Sequence, residues 1–215
     1  MTDSPLGPID LTWIETLEST MSNLDRLHAE IKACRICLDQ LPLGPRPVLQ
    51  LGKGARILVA AQAPGTRVHE TGLPFNDPSG DRLREWMGID RATFYDPEQL
   101  NIVPMGFCYP GRGKSGDLPP RPECAQAWRD QIMEAIGPMA LTLVIGQYAQ
   151  AWHLGEDQHK TLTERVRAWK DAPEGIIPLP HPSPRNNIWL RRNPWFEEEV
   201  VPEIQSRVRR ILASK

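Results

Sequence analysis

Four short apolar runs constrain the fold of this chain more than any other feature: Arg56 to Ala61, Leu100 to Pro104, Leu141 to Gly146 and Ile176 to Pro180. Each has the length of one strand and is apolar almost throughout, as strands buried on both faces are. Segments with helical spacing stand between them, at Ser79 to Met87, Pro122 to Ile136 and Gln147 to Leu154. A further helical pattern runs from Ser22 to about Cys34, with Leu24, Leu27 and Ile31 on one face. A last helix is expected to start at Asn193, with Pro194 in its first turn and Val200, Ile204, Val208 and Ile211 at helical spacing. Strands alternating with helices predict an α/β fold: one three-layer α/β/α domain around a central, mostly parallel four-stranded sheet. Residues 1–20 read as a loose N-terminal extension and residues 21–215 as the domain.

Composition narrows the function classes. No apolar run approaches the length of a membrane span, and the N-terminus carries Asp3 and Glu15 with no basic region before an apolar stretch, unlike a signal peptide. A cytoplasmic protein without a membrane partner is expected, working as a monomer. In that reducing setting the four cysteines read as metal or cluster ligands, or as buried small hydrophobes, rather than as disulfides. The net charge of -2 means that any nucleic-acid contact must come from a local basic patch. Gly113-Lys114-Ser115 hints at a nucleotide-binding loop, but the first glycine of that motif falls at Cys108, which argues against nucleotide hydrolysis.

Parallel sheets bind ligands at the carboxyl ends of their strands. The four runs end in Ala61-Gln62-Ala63-Pro64-Gly65, the Gly106 to Asp117 loop, Gly146-Gln147, and His181-Pro182-Ser183-Pro184-Arg185-Asn186. All four loops are expected to open onto one edge. Gly and Pro alone merely punctuate strand ends, but a histidine held between Pro180 and Pro182 and followed by small and basic residues is poorly explained by packing.

His181-Pro182-Ser183-Pro184-Arg185-Asn186 resembles the second signature motif of uracil-DNA glycosylases, in the form found in single-strand-selective monofunctional enzymes. Ala61-Gln62-Ala63-Pro64-Gly65 resembles the first motif of the iron-sulfur bacterial and archaeal branches. Thr71-Gly72-Leu73-Pro74-Phe75 and Asn76-Asp77-Pro78-Ser79-Gly80-Asp81 are similar to stretches of those branches as well, and the likeness runs in order from about Ala33 to the C-terminal helix. It implies a DNA-repair glycosylase that flips uracil or another deaminated base out of DNA and hydrolyses its bond to the sugar.

Breaking that bond places positive charge on the sugar and negative charge on the departing base. The resemblance implies His181 as the donor to the base, and Asp77 as the carboxylate that steadies the sugar and orients water. Asn76-Asp77-Pro78-Ser79 also has the composition of a turn and helix cap. Where well-known relatives carry a carboxylate in the first motif, this chain has Ala63, and Gln62 or the backbone beside it is left to help hold the water. Phe75 is expected to stack on the base and Asn101 to read its edge, with Ala63 and Gly65 completing the substrate pocket. Ordinary core and strand-edge roles are open to Phe75 and Asn101. Ser183, Arg185 and Asn186 are the expected DNA contacts, joined by Arg191, Arg192 and an apolar wedge from Ile188, Trp189 and Leu190.

Cys34, Cys37, Cys108 and Cys124 resemble in spacing the ligands of a [4Fe-4S] cluster in the iron-sulfur branches. Zinc is the alternative, because four thiolates suit either. Two other functions stay open: a DNA- or lesion-binding member of the fold that has lost the chemistry, as Ala63 suggests, and a nucleobase or nucleotide N-glycoside hydrolase.

Overall fold

The computed structural model describes residues 22–114, 116–155 and 161–214, so the expected extension over residues 1–20 lies outside the described residues. Helix α1 (Asn23–Lys32) starts at a capping box in which Ser22 and Asp25 satisfy each other's backbone N–H groups. Strand β1 (Ile57–Ala60) leads into α2 (Thr66–Thr71) and α3 (Pro78–Met87). Asp77 caps α3 by accepting from Gly80 N at 2.9 Å, and Pro78 fills the first turn, where its missing N–H costs nothing. A short α4 (Arg91–Phe94) precedes β2 (Leu100–Ile102), followed by a small antiparallel hairpin of β3 (Arg112–Gly113) and β4 (Gly116–Asp117). The chain then runs through α5 (Pro122–Ile136), β5 (Leu141–Ile145), α6 (Gly146–Leu154), α7 (Leu162–Arg167) and β6 (Ile176–Leu179). It finishes with α8 (Asn187–Arg192) and α9 (Val201–Ala213).

The central sheet has the order β2-β1-β5-β6 with all four strands parallel, as the apolar runs predict. Alternation along the strands divides the core into two layers. Ile57, Val59, Leu141 and Leu143 pack with Leu83, Trp86, Phe196 and Ile204 on one face. Leu58, Ala60 and Val144 pack with Leu27, Ile31, Ile132 and Ala149 on the other. Pro178 is tolerated because β6 is an edge strand. The opposite edge is covered where Gln50 and Ile102 exchange both backbone hydrogen bonds at 2.9 Å, which shields β2 from foreign strands.

The C-terminal helix departs from the expected start at Asn193. Residues Phe196–Val200 form a wide π turn that passes directly into α9. Pro202 has no N–H for the i−4 carbonyl, so a regular ladder cannot run through it and the register shifts ahead of it.

One buried cation ties the layers together. Arg129 of α5 is 1% exposed and donates from Nη1 to the carbonyls of Val103 at 2.9 Å and Pro104 at 3.2 Å, just beyond β2. Its Nη2 lies 2.7 Å from His153 Nε2, which must accept, and its guanidinium sits 4.9 Å from the Trp152 ring centre. Burial first, and Arg129 second, press the His153 pKa from 6.5 to about 3. Above pH 6.5 neither folded nor unfolded chain protonates this imidazole. Between 6.5 and about 3 only the unfolded chain does, so folding stability contributed here is lost as pH falls through that window. Denaturant titrations should therefore show stability declining below pH 6.5, with a shallower decline in His153→Gln, which keeps an acceptor but does not titrate.

Candidate active site

The first, second and fourth strand-end loops meet around a single cavity of about 540 Å³, within the usual range for a small-molecule site. Gln62, Ala63, Pro64 and Gly65 follow β1, Pro104 and Tyr109 follow β2, and His181, Ser183, Arg185 and Asn186 follow β6. Phe75 and Asp77 enter from the segment before α3, and Asp117 from the hairpin. Gly146-Gln147, after β5, does not line it; Gly146 stands behind Gln62, whose Oε1 would lie 3.9 Å from a Cβ there.

The loop after β6 is built to orient His181. Ser183 N donates to His181 Nδ1 at 3.2 Å, which puts the ring proton on Nε2 and leaves that nitrogen as a donor. Asn186 Nδ2 donates to the His181 carbonyl at 2.7 Å, and Asn186 N to the Ser183 carbonyl at 2.9 Å. Burial holds the imidazole pKa below its ordinary 6.5, while Asp77 and Asp117 pull the other way. His181 is thus a neutral hydrogen-bond donor at neutral pH.

Sequence reasoning missed Arg82. From the exposed side of α3 its Nη1 donates to the carbonyls of Pro182 at 3.2 Å and Ser183 at 3.1 Å, while Nη2 donates to Asn187 Oδ1 at 2.7 Å. Nothing in the sequence beyond its place after Gly80-Asp81 hints at a clamp across about a hundred residues.

Phe75 is half-buried against the cavity, edge-on to Phe94 with ring centres 6.1 Å apart. It is the one non-glycine with positive φ (53°) among the described residues, a conformation that costs on the order of 1–3 kcal/mol and is typical of sites that position a side chain. Gly80 makes it possible: a Cβ there would stand 1.8 Å from the Phe75 carbonyl oxygen.

Asn101 corrects the expectation. It is fully buried within β2, where its Oδ1 accepts from Gly52 N at 2.8 Å and its Nδ2 lies 3.8 Å from Met139 Sδ. It does not line the cavity and cannot read a base there. The expected wedge is also reduced. Leu190 is buried, and Trp189 packs on Trp195 and Phe196 while its Nε1 donates to Thr163 Oγ1 at 2.8 Å. Ile188 alone of the three is exposed, at 55%.

Ser183 and Asn186 spend hydrogen bonds on their own loop, Ser183 Oγ accepting from Arg185 N at 3.3 Å. Arg185 is exposed and leans toward the hairpin, its Nη1 lying 2.7 Å from where a Gly116 Cβ would stand. Arg67 and Arg112 also line the cavity, so its mouth is basic although the chain is not.

The four cysteines line one small pocket with Ile36, Leu41, Pro45, Pro47 and Phe107. Phe107 N donates to Cys124 Sγ at 3.3 Å, and the Arg46 backbone bonds to Cys108. Burial pushes the Cys108 thiol up to about 11 and Cys124 up to about 12. Among the described residues no group of three or more His, Cys, Asp or Glu side chains is close enough to hold a single metal ion. No described helix is long and apolar enough to cross a membrane.

A family profile described as the uracil DNA glycosylase superfamily matches residues 48–205, well over half of the chain. The chain belongs to the uracil-DNA glycosylase superfamily. That match covers every loop of the cavity and leaves Cys34 and Cys37 outside it. Members of this superfamily are in general DNA glycosylases, and a function of that type is what the family match suggests. Within this superfamily fold Asn101 serves as a structural residue. Asn101→Ala should strip the buried Gly52 N–H of its acceptor and cost about 1–3 kcal/mol in denaturant unfolding, with the base preference of any activity unchanged. A changed preference at unchanged stability would overturn that assignment.

Proposed function

We propose that this chain is a monofunctional DNA glycosylase that hydrolyses the bond between deoxyribose and a flipped uracil or related deaminated base. The observation that carries this reading is the His181 ring, fixed as the Nε2–H tautomer and held neutral at the edge of a cavity that Asp77 also enters. A base leaving as an anion needs a preorganised donor, and the sugar, turning cationic, needs a carboxylate. Asp77 commits one oxygen to the α3 cap, which holds the carboxylate in place. The Phe75 ring supplies an apolar face for the base, Gln62 helps hold the water, and Ala63 and Gly65 keep the floor low enough for a flat ring to enter. Arg185 contacts DNA at the mouth, and Ile188 fills the gap that the flipped base leaves.

Single-turnover release of uracil, hypoxanthine or xanthine from oligonucleotides tests the reading. His181→Ala should slow release by on the order of 100 to 1,000-fold, roughly 3 to 4 kcal/mol, with little change in DNA affinity. Because the working form is the neutral imidazole, the rate should not climb as pH falls from the alkaline side to 6.5. Arg185→Ala should do the opposite of His181→Ala, weakening binding and lowering its salt sensitivity. Full activity in both His181→Ala and Asp77→Asn would remove the site. Tight lesion binding with no release by the wild type would favour a binding protein, and action on free nucleosides but not DNA a nucleoside hydrolase.

The cysteine pocket supports a [4Fe-4S] cluster held by Cys34, Cys37, Cys108 and Cys124. Arg121, which lines the pocket and hydrogen-bonds Cys37, and the N–H groups of Arg46 and Phe107 bonded to sulfur suit anionic sulfur. Zinc is the alternative, because four thiolates would hold either metal group. The cluster would join α1, the loop after β2 and the start of α5. Anaerobically purified protein should be brown with about four irons per chain. Colourless protein, or one zinc, would refute this, and Cys108→Ala should lower soluble yield rather than change which base leaves.

A further inference from the structure

We propose that Asp117, on the β3–β4 hairpin, is a second catalytic carboxylate that holds and deprotonates the attacking water, the task that Ala63 in the first motif cannot perform. The inference rests on the glycosylase reading above and assigns a residue that the first motif does not contain.

Leu118 N donates to the Gly111 carbonyl at 2.8 Å and closes the base of the hairpin, and Arg112 pairs with Asp117 across the strands. Gly116 faces Arg185 of the loop after β6, and Asp117 faces the loop after β1: its Oδ2 lies 3.6 Å from where a Gly65 Cβ would stand. Asp117 therefore reaches the first motif, two residues from Ala63, from across the cavity that both line.

Two further observations separate Asp117 from Asp77. Asp77 already gives one oxygen to Gly80 N, whereas no hydrogen bond or ion pair to Asp117's carboxylate is found among the described residues. Asp117 is also exposed at a mouth whose other charges, Arg67, Arg112 and Arg185, suit phosphate. A carboxylate there opposes DNA binding, whereas it suits a group that gains positive charge or gives up a proton. Both carboxylates lie within electrostatic reach of His181.

Asp117 accepts a hydrogen bond from water, whose oxygen attacks C1′ as the bond from C1′ to the base nitrogen breaks. That bond's electron pair leaves with the base, whose negative oxygen accepts from His181 Nε2–H. The water proton passes to Asp117 and a hydroxyl remains on C1′. Asp77 steadies the positive charge on the sugar.

Asp117→Asn, Asp117→Glu and Asp77→Asn, compared with the wild type in single-turnover release and in DNA affinity, test the proposal. Loss of a positioned base should slow Asp117→Asn by roughly 100 to 10,000-fold. Its DNA affinity should stay level or tighten, because a negative charge leaves the DNA-facing surface. Asp117→Glu should recover part of the rate, and an unchanged melting temperature would exclude misfolding as the cause. A wild-type rate in Asp117→Asn, or weakened binding at an unchanged rate, overturns the assignment while the glycosylase reading stands. No release by the wild type from any deaminated base overturns both.

Discussion

The Arg82 guanidinium is the contact on which the rest of the site depends. Helix α3 begins at the Asp77 cap and, little more than one turn later, sends Arg82 across to the Pro182 and Ser183 carbonyls and Asn187. One rigid element thus fixes both the carboxylate and the loop that carries His181. That loop has few other attachments, and charge-assisted bonds to its carbonyls are stronger than neutral ones. The spacing between Asp77 and His181 is set by a helix rather than by two independent loops, which suits a reaction sensitive to misplacement of about an ångström.

Electrostatics at this edge works by exclusion as much as by attraction. A protonated His181 would offer a stronger donor, but its Nδ1 would then meet the Ser183 N–H head-on, and burial already disfavours the charge. Beneath the cavity, Arg129 holds the Val103 and Pro104 carbonyls, so the backbone leaving β2 is fixed from behind by a cation with no carboxylate partner among its hydrogen bonds. The site is polar where charge develops and rigid where it does not.

Much of this was legible in the sequence. The four apolar runs mark the four strands to within one or two residues, because strands buried on both faces leave no other pattern. The motif order brought His181, Asp77, Phe75 and Gln62 to one cavity because strand ends in a parallel sheet share an edge. Asn101 was misread by parity. It pairs with Leu58 and shares that residue's face, whereas Ile102, its neighbour, is the residue that reaches the cavity. Arg82 and Asp117 were invisible for a different reason: their partners lie across space on other loops, and neither the helix pattern nor a glycine-rich loop announces such a contact. The π turn at Phe196–Val200 had a signal in Pro202, but helical periodicity on both sides masked it.

The composition of the cavity also bears on which chemistry the fold admits. Among the described residues its cationic lining is Arg67, Arg112 and Arg185, with no lysine. A guanidinium stays protonated and cannot attack C1′, whereas an amine can form a Schiff base and lead on to strand cleavage. With arginines and carboxylates as its charged groups, the cavity favours water as the nucleophile under the proposed reading, with Gln62, Asp77 and Asp117 all lining it. Under the proposal above, Ala63 leaves the activation of that water to Asp117, which lines the same cavity from the hairpin. The residue that looks most like a loss of function in the sequence is then compatible with retained chemistry, because a carboxylate from another loop lies within 3.6 Å of where a Gly65 Cβ would stand.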